Sequence, residues 1–176
     1  MQKKSLFISA GHSDTDPGAA GNGQREADIV LEFRDYLAKA LQARDVEFSK
    51  DGELGQNLPL NVAWRKAAEH DIAIEFHCNS FLRPTATGVE TLSSDANKPL
   101  GARICQTISE VLDITNRGAK DEASGQHSRL AFVSQGNGII VELFFISNED
   151  DLDKYHSGKL QLAEKLADLL MEEVRA

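Results

Sequence analysis

The sequence predicts one α/β domain with a mostly parallel, mixed central sheet of about six strands flanked by helices. Three observations predict it. Short apolar runs alternate along the chain with segments whose apolar residues return at three- and four-residue steps, the rhythm of strands alternating with amphipathic helices. Two of those runs, at residues 6–10 and 72–76, lead into histidines, as strands do whose C-terminal ends carry a site. The length of 176 residues fits a single domain spanning residues 1–176 and is enough to bury a core.

Leu6, Phe7 and Ile8 form a continuous apolar run, the pattern of a strand covered on both faces, and this first strand points at His12. Over residues 24–44, Val30, Phe33, Leu37, Ala40 and Leu41 share one stripe while Asp28, Glu32, Asp35 and Lys39 lie opposite, which predicts the strongest helix in the chain. Counting back four from Val30 reaches Glu26, a carboxylate on the core-facing stripe of the first turn, where a solvated one is not expected. The loop before it holds Asp16, Pro17, Gly18, Gly21 and Gly23, turn formers that let His12 and Glu26 face one another.

Residues 46–48 predict a short strand, 51–57 a loop and 60–70 a helix. The run at 72–77 predicts a strand ending in His77, and after a Pro/Thr/Gly loop residues 89–92 predict another. Leu100, Ile104, Ile108, Val111 and Leu112 predict a third long helix, with Pro99 suited to its first turn. Residues 116–126 are polar and contain glycine, hence a loop, and lead to an apolar run at 130–133. Residues 138–146 are the most hydrophobic stretch, yet Glu142 sits in its middle, and a central strand should not carry an unpaired charge. Ser147 and Asn148 are placed to cap a short helix over 149–152, and a last helix from about Gly158 carries Leu162, Leu166, Leu169 or Leu170, and Val174 on one face. In such a fold sites form beyond the C-terminal strand ends, near which His12, His77 and Glu142 all fall.

Composition excludes several classes. A net charge of −9 leaves no clustered basic excess for nucleic acid and no electrostatic pull towards anionic lipid or wall polymers. Cys78 and Cys105 show no metal or disulfide spacing and read as reduced core thiols. The apolar run behind the basic MQKK start is too short for a signal-peptide core, and no stretch approaches the ~20 apolar residues of a membrane span. The expectation is a protein made in the cytoplasm with no stable membrane association.

Two histidines and one carboxylate, leaving one position open, form a common catalytic zinc arrangement, and His12, Glu26 and His77 supply that set. Glu142 suits the general base: burial beside a metal would explain a carboxylate kept in an apolar run. Bland readings compete with these. A histidine at a strand end is commonly structural, and Glu26 can be a first-turn carboxylate favoured by the helix dipole. Asp14 and Asp16 read as turn chemistry rather than ligands, and His70, His127 and His156 as solvated surface, with His127 and Arg129 as weak candidates for a substrate groove.

The run GHSDTDPGAAGNGQRE resembles the Gly-His…Asp-Pro-Gly-Ala…Gly…Glu signature of zinc-dependent N-acetylmuramoyl-L-alanine amidases of the cell-wall hydrolase type. IEFHCNS is similar to that family's strand with His-x-Asn, Gly88-Val89-Glu90-Thr91 to its Gly-Val-Glu-Thr strand, Asn116-Arg117-Gly118 to its Arg-Gly turn, and VELFFISNEDD to its Val-Glu-Leu-Gly-Phe segment. The pieces occur in family order across nearly the whole chain. Ser13-Asp14 stands where the family usually has Gly-Gly, Cys78 where alanine and Phe144 where glycine are common. The resemblance implies zinc as cofactor, His12, Glu26 and His77 as its ligands, Glu142 as the catalytic carboxylate, and Asn79 and Arg65 as residues that position substrate or support the site, with structural hydrogen bonding as an equal reading for these two. It implies peptidoglycan as partner and substrate, cut at the amide between N-acetylmuramic acid and L-alanine. The expected setting is a phage endolysin released to the wall by a holin-type membrane partner, with a bacterial autolysin as the other setting. Rival readings are a zinc peptidase cutting within the peptide stem and a non-catalytic wall-binding module.

Overall fold

Leu6–Ala10 forms strand β1, and all five residues are buried, as a strand covered on both faces requires. The computed structural model describes residues 3–124 and 130–176. After β1 the chain makes a small antiparallel hairpin, β2 (Ala20–Gly21) and β3 (Gln24–Arg25), and enters helix α1 (Glu26–Gln42). Then follow β4 (Ser49–Lys50), α2 (Leu60–Ala67), β5 (Ile72–Asn79), β6 (Val89–Ser93), α3 (Lys98–Leu112), β7 (Asn116–Asp121), α4 (Ala131–Ser134), β8 (Ile139–Phe145) and α5 (Glu149–Arg175). The six longer-range strands form one sheet in the order β4-β1-β5-β8-β6-β7. β4, β1, β5 and β8 run parallel; β6 is antiparallel to β8, and β7 is parallel to β6. The mostly parallel, mixed sheet expected from the sequence is therefore present.

The main core lies between one sheet face and α1, α3 and α5, where Phe33, Leu37, Ile104, Ile108, Leu162 and Leu166 meet Ile8, Ile74, Val141 and Leu143. The opposite face carries a smaller cluster in which Ala63 and Ala67 of α2 and Phe132 and Val133 around α4 cover Phe7, Ala73, Leu92 and Ile140. Cys78 and Cys105 are both free and buried, and Cys78 belongs to the main core. No helix among the described residues is long and apolar enough to cross a membrane.

Several boundaries differ from the sequence expectation, each for a local reason. Residues 46–48 are not a strand: Val46 N donates to Leu41 O at the end of α1, and pairing with β1 begins only at Ser49. The second helix stops at Ala67, short of residue 70, and closes in turns from Glu69 N to Lys66 O and His70 N to Ala67 O. Residues 116–121 are a strand rather than a loop; β7 is polar because, among the described residues, it is an edge strand paired only with β6. The two helices expected after Ser147 are one helix of 27 residues, since Asn148 caps it by accepting from Asp150 N and Asp151 N, and Gly158 lies inside it against Leu112.

Register explains why one face changes chemistry along its length. Residues directly opposite one another on neighbouring strands share a face, and i and i+2 share it too. Thus Ser9, Glu75, Ile140 and Leu92 form one row, and the next row places His77 beside Glu142 and Glu142 beside Glu90. The short helices α2 and α4 cover the apolar residues of this face. Its polar row crosses β5 at His77 and the middle of β8 at Glu142, beside the loop that follows β1.

That loop is braced by a buried ion pair. Arg34 and Asp51 are both fully buried, with Nη1 2.6 Å from Asp51 Oδ1, and Arg34 also donates to the carbonyls of Glu53 and Gln56 and to Asp35. The pair orders residues 51–56, and the following Asn57 donates through Nδ2 to Gly11 O at 2.7 Å. Removing one partner of a buried pair strands the other charge and costs about 3–5 kcal/mol. Arg34→Met is expected to lower unfolding free energy in urea by that order; a loss below ~1 kcal/mol would show that the pair is dispensable.

Candidate metal centre

Glu26 opens α1 and is only 4% exposed, on the same stripe as Val30 and Phe33 as the helical count requires. Its Oε2 accepts from Ala19 N at 2.9 Å and its Oε1 from Cys78 N at 2.9 Å, so the carboxylate is fixed to the hairpin loop on one side and to β5 on the other. Oε1 also lies 2.9 Å from His12 Nε2 and 3.0 Å from His77 Nδ1. The two imidazole rings meet edge to face with centroids 5.0 Å apart.

Backbone conformation and two glycines permit this convergence. His12 itself has φ 65, an uncommon conformation for a residue with a side chain and one that turns the ring back over the strand end. A Cβ on Gly11 would lie 2.3 Å from His77 Cε1, and one on Gly18 would lie 2.5 Å from His12 Nε2 and 2.7 Å from Glu26 Oε2. Any side chain at either position would displace the rings. Gly18 also has φ +65, so it meets a conformational need as well as a spatial one.

One ring nitrogen each of His12 and His77 and a Glu26 carboxylate oxygen lie within 4.8 Å of one another, close enough for a single metal ion. Three further observations fit such an ion. His12 Nε2 is buried and has no aligned hydrogen-bond partner among the described residues, although it is close to Glu26. Each histidine has its far nitrogen against a carboxylate: His12 Nδ1 is 3.0 Å from Asp16 Oδ2, and His77 Nε2 is 3.0 Å from Glu75 Oε1. That is the second-sphere pattern of metal-bound imidazoles. The ligand set, two nitrogens and one oxygen, is also one that zinc accepts.

The electrostatics point the same way. Burial acts to raise the Glu26 carboxyl pKa, but contacts with His12 and His77 outweigh it and hold the group well below the usual carboxylate range. Burial opposes charging His12, whereas the Glu26 carboxylate favours it, and its pKa is raised. For His77 burial is again opposed, by Glu26 and Glu75, and its pKa rises well above that of an ordinary histidine. Carboxylates that hold a proton on these rings are equally suited to holding a cation between them.

Glu142 stands on β8 directly opposite His77. Its Oε2 is buried without a hydrogen-bond partner among the described residues. Burial pushes its pKa up to about 7, with Glu26 and Glu90 adding to the effect and His77 opposing it. Glu90, on its other side, is buried but satisfied, accepting from Arg117 Nε and Lys120 Nζ, both at 2.6 Å.

Of the other candidates, Asn79 lies beyond His77 on β5 and donates through Nδ2 to Glu90 Oε1 at 3.2 Å. Arg65 is exposed on α2 with its guanidinium over the Trp64 ring, and none of its contacts among the described residues reaches the four central side chains. His127 and Arg129 lie outside the described residues. His70 is not a solvated surface group: Nδ1 meets Lys66 O, Nε2 meets Ser49 Oγ, and the ring packs against Phe7. Sequence reasoning missed Glu75 and Glu90, and it read Asp16 as turn chemistry alone. Glu75 was signalled by its place two residues before His77, hence on the same face, within an otherwise apolar strand.

The chain is similar to several known proteins. A crystal structure of a Neisseria meningitidis protein assigned to the N-acetylmuramoyl-L-alanine amidases superposes with a TM-score of 0.88 at 37% identity, covering 98% of this chain and 97% of that one. The protein YqiI of Bacillus subtilis is 28% identical over 178 residues, covering 97% of this chain and 83% of YqiI. The endolysin of Bacillus phage SPP1 is 28% identical over 157 residues, which span 84% of this chain and 57% of the endolysin. Residues 6–172 match the family model for N-acetylmuramoyl-L-alanine amidase, and the chain belongs to that family.

Proposed function

We propose that this chain is a zinc amidase that hydrolyses the amide joining N-acetylmuramic acid to the L-alanine of the peptidoglycan stem. His12, Glu26 and His77 hold the zinc, and Glu142 is the catalytic carboxylate. The observation that carries the reading is the convergence of two imidazoles and a carboxylate within 4.8 Å, with a second carboxylate opposite one of those imidazoles on the next strand. Bound there, zinc would lower the pKa of water towards ~7 and polarise the amide carbonyl.

The chain's own groups supply the remaining chemistry. Glu142, with its pKa near neutrality, accepts the proton of the attacking water and returns it to the leaving alanine nitrogen. Glu26, His12 and His77 are held by the strand ends and by α1, so the site is assembled before substrate arrives. Asn79, held by Glu90 at the end of β5, is assigned to the substrate-facing rim. The likeness to a phage endolysin supports an enzyme that acts on the wall after release, with a membrane-permeabilising partner of the holin type providing the route.

Two measurements test this. Digestion of purified peptidoglycan should release intact stems with free L-alanine amino termini; shorter stem fragments alone would mark a peptidase instead. Glu142→Gln should reduce turnover by about 10²–10⁴-fold while zinc content stays near that of the unaltered protein. Glu26→Gln should instead weaken zinc retention during dialysis against a chelator. If Glu142→Gln loses metal and Glu26→Gln keeps it, the two carboxylates have exchanged roles.

A further inference from the structure

Glu75 is 2% exposed and sits two residues before His77 on the same face of β5. Its Oε2 accepts from Ser9 Oγ at 3.1 Å, and its Oε1 lies 3.0 Å from His77 Nε2. No lysine or arginine among the described residues pairs with it. An isolated buried carboxylate is costly, so the partners it does have define what it is for. The Ser9 hydroxyl fixes one oxygen and leaves the other aimed at the ring.

We propose that Glu75 is a positioning residue for the metal centre: by accepting a hydrogen bond from His77 Nε2–H it sets the ring's tautomer and orientation, so that Nδ1 presents its lone pair to the ion. The inference rests on the metal reading above and extends it to a residue outside the ligand set. A neutral imidazole carries one proton, and holding that proton on Nε2 leaves only Nδ1 free, the nitrogen 3.0 Å from Glu26 Oε1. Asp16 does the equivalent for His12 at Nδ1, but its side chain is 63% exposed against 3% for Glu75. Water competes for the Asp16 contact and not for that of Glu75, so the buried partner should dominate.

The experiment is zinc affinity by chelator competition for the unaltered protein, Glu75→Gln, Glu75→Ala and Asp16→Asn, together with metal-free thermal midpoints and ¹⁵N spectra of the histidine rings in the zinc-loaded proteins. Removing an outer-sphere partner of a metal-bound histidine typically weakens metal binding about 10–100-fold. Glu75→Ala is expected within that range, Glu75→Gln to lose less because its amide oxygen still accepts the bond, and Asp16→Asn least. With zinc on Nδ1 the His77 proton stays on Nε2, and in Glu75→Ala that Nε2–H should lose the ¹⁵N and ¹H shifts of a carboxylate-bonded group that it shows in the unaltered protein. Affinities within twofold of the unaltered protein for both Glu75 variants would overturn the proposal. So would a loss of affinity in Glu75→Gln matched by a lower metal-free midpoint with the ring signature unchanged, which marks a structural role. If Glu75→Ala does not fold, the isosteric Glu75→Gln decides by the same criteria. Failure of the unaltered protein to bind zinc would remove the metal reading and this one together.

Discussion

One carboxylate, that of Glu26, ties the molecule's separate parts together. Its two oxygens meet Ala19 N, Cys78 N, His12 Nε2 and His77 Nδ1, all within 3.0 Å. Those four groups come from the loop after β1 and from the end of β5, while Glu26 itself belongs to α1. Backbone bonds from Glu26 N to Ala19 O and from Ala27 N to Pro17 O reinforce the same junction of loop and helix. The buried stripe of α1 and the Arg34–Asp51 pair hold the helix and the neighbouring loop in the positions that the contact needs.

The same economy of charge governs the surrounding face. Four acidic side chains, Glu26, Glu75, Glu90 and Glu142, gather at one end of the sheet, and each is stabilised differently. Glu90 has Arg117 and Lys120. Glu26 lies against both imidazoles and Glu75 against that of His77, while Glu142 Oε2 has no directed partner among the described residues and burial pushes the carboxyl pKa up to about 7. A cation held by His12, Glu26 and His77 would add positive charge beside Glu75 and Glu142. It would also leave Glu142 as the one carboxylate free to exchange protons, the property a general base requires.

Much of this was legible in the sequence because it depends on periodicity. Counting four back from Val30 places Glu26 on the buried stripe, and two apolar runs ending in histidine place both rings at one end of the sheet. An isolated Glu142 in the most hydrophobic stretch also stands out without any structure. What could not be read depends on register and on contacts distant in sequence. Nothing in the linear order says that Glu142 pairs with both His77 and Glu90, or that Ser9 lies against Glu75. Polarity concealed β7, because an edge strand and a loop have the same composition. Gly158 suggested a helix start although the helix runs through it, because packing against Leu112 outweighs the weak local preference of one glycine. Within Asp16-Pro17-Gly18 the Asp16 side chain accepts from Gly18 N, and its partnership with His12 does not show in the turn signal.

The most direct test is a zinc-edge anomalous difference map from crystals grown with zinc. The account predicts one strong peak bonded to His12 Nε2, the Glu26 carboxylate and His77 Nδ1, with Glu142 outside the coordination sphere. A peak held by other residues, or by Glu142 in place of Glu26, would contradict it.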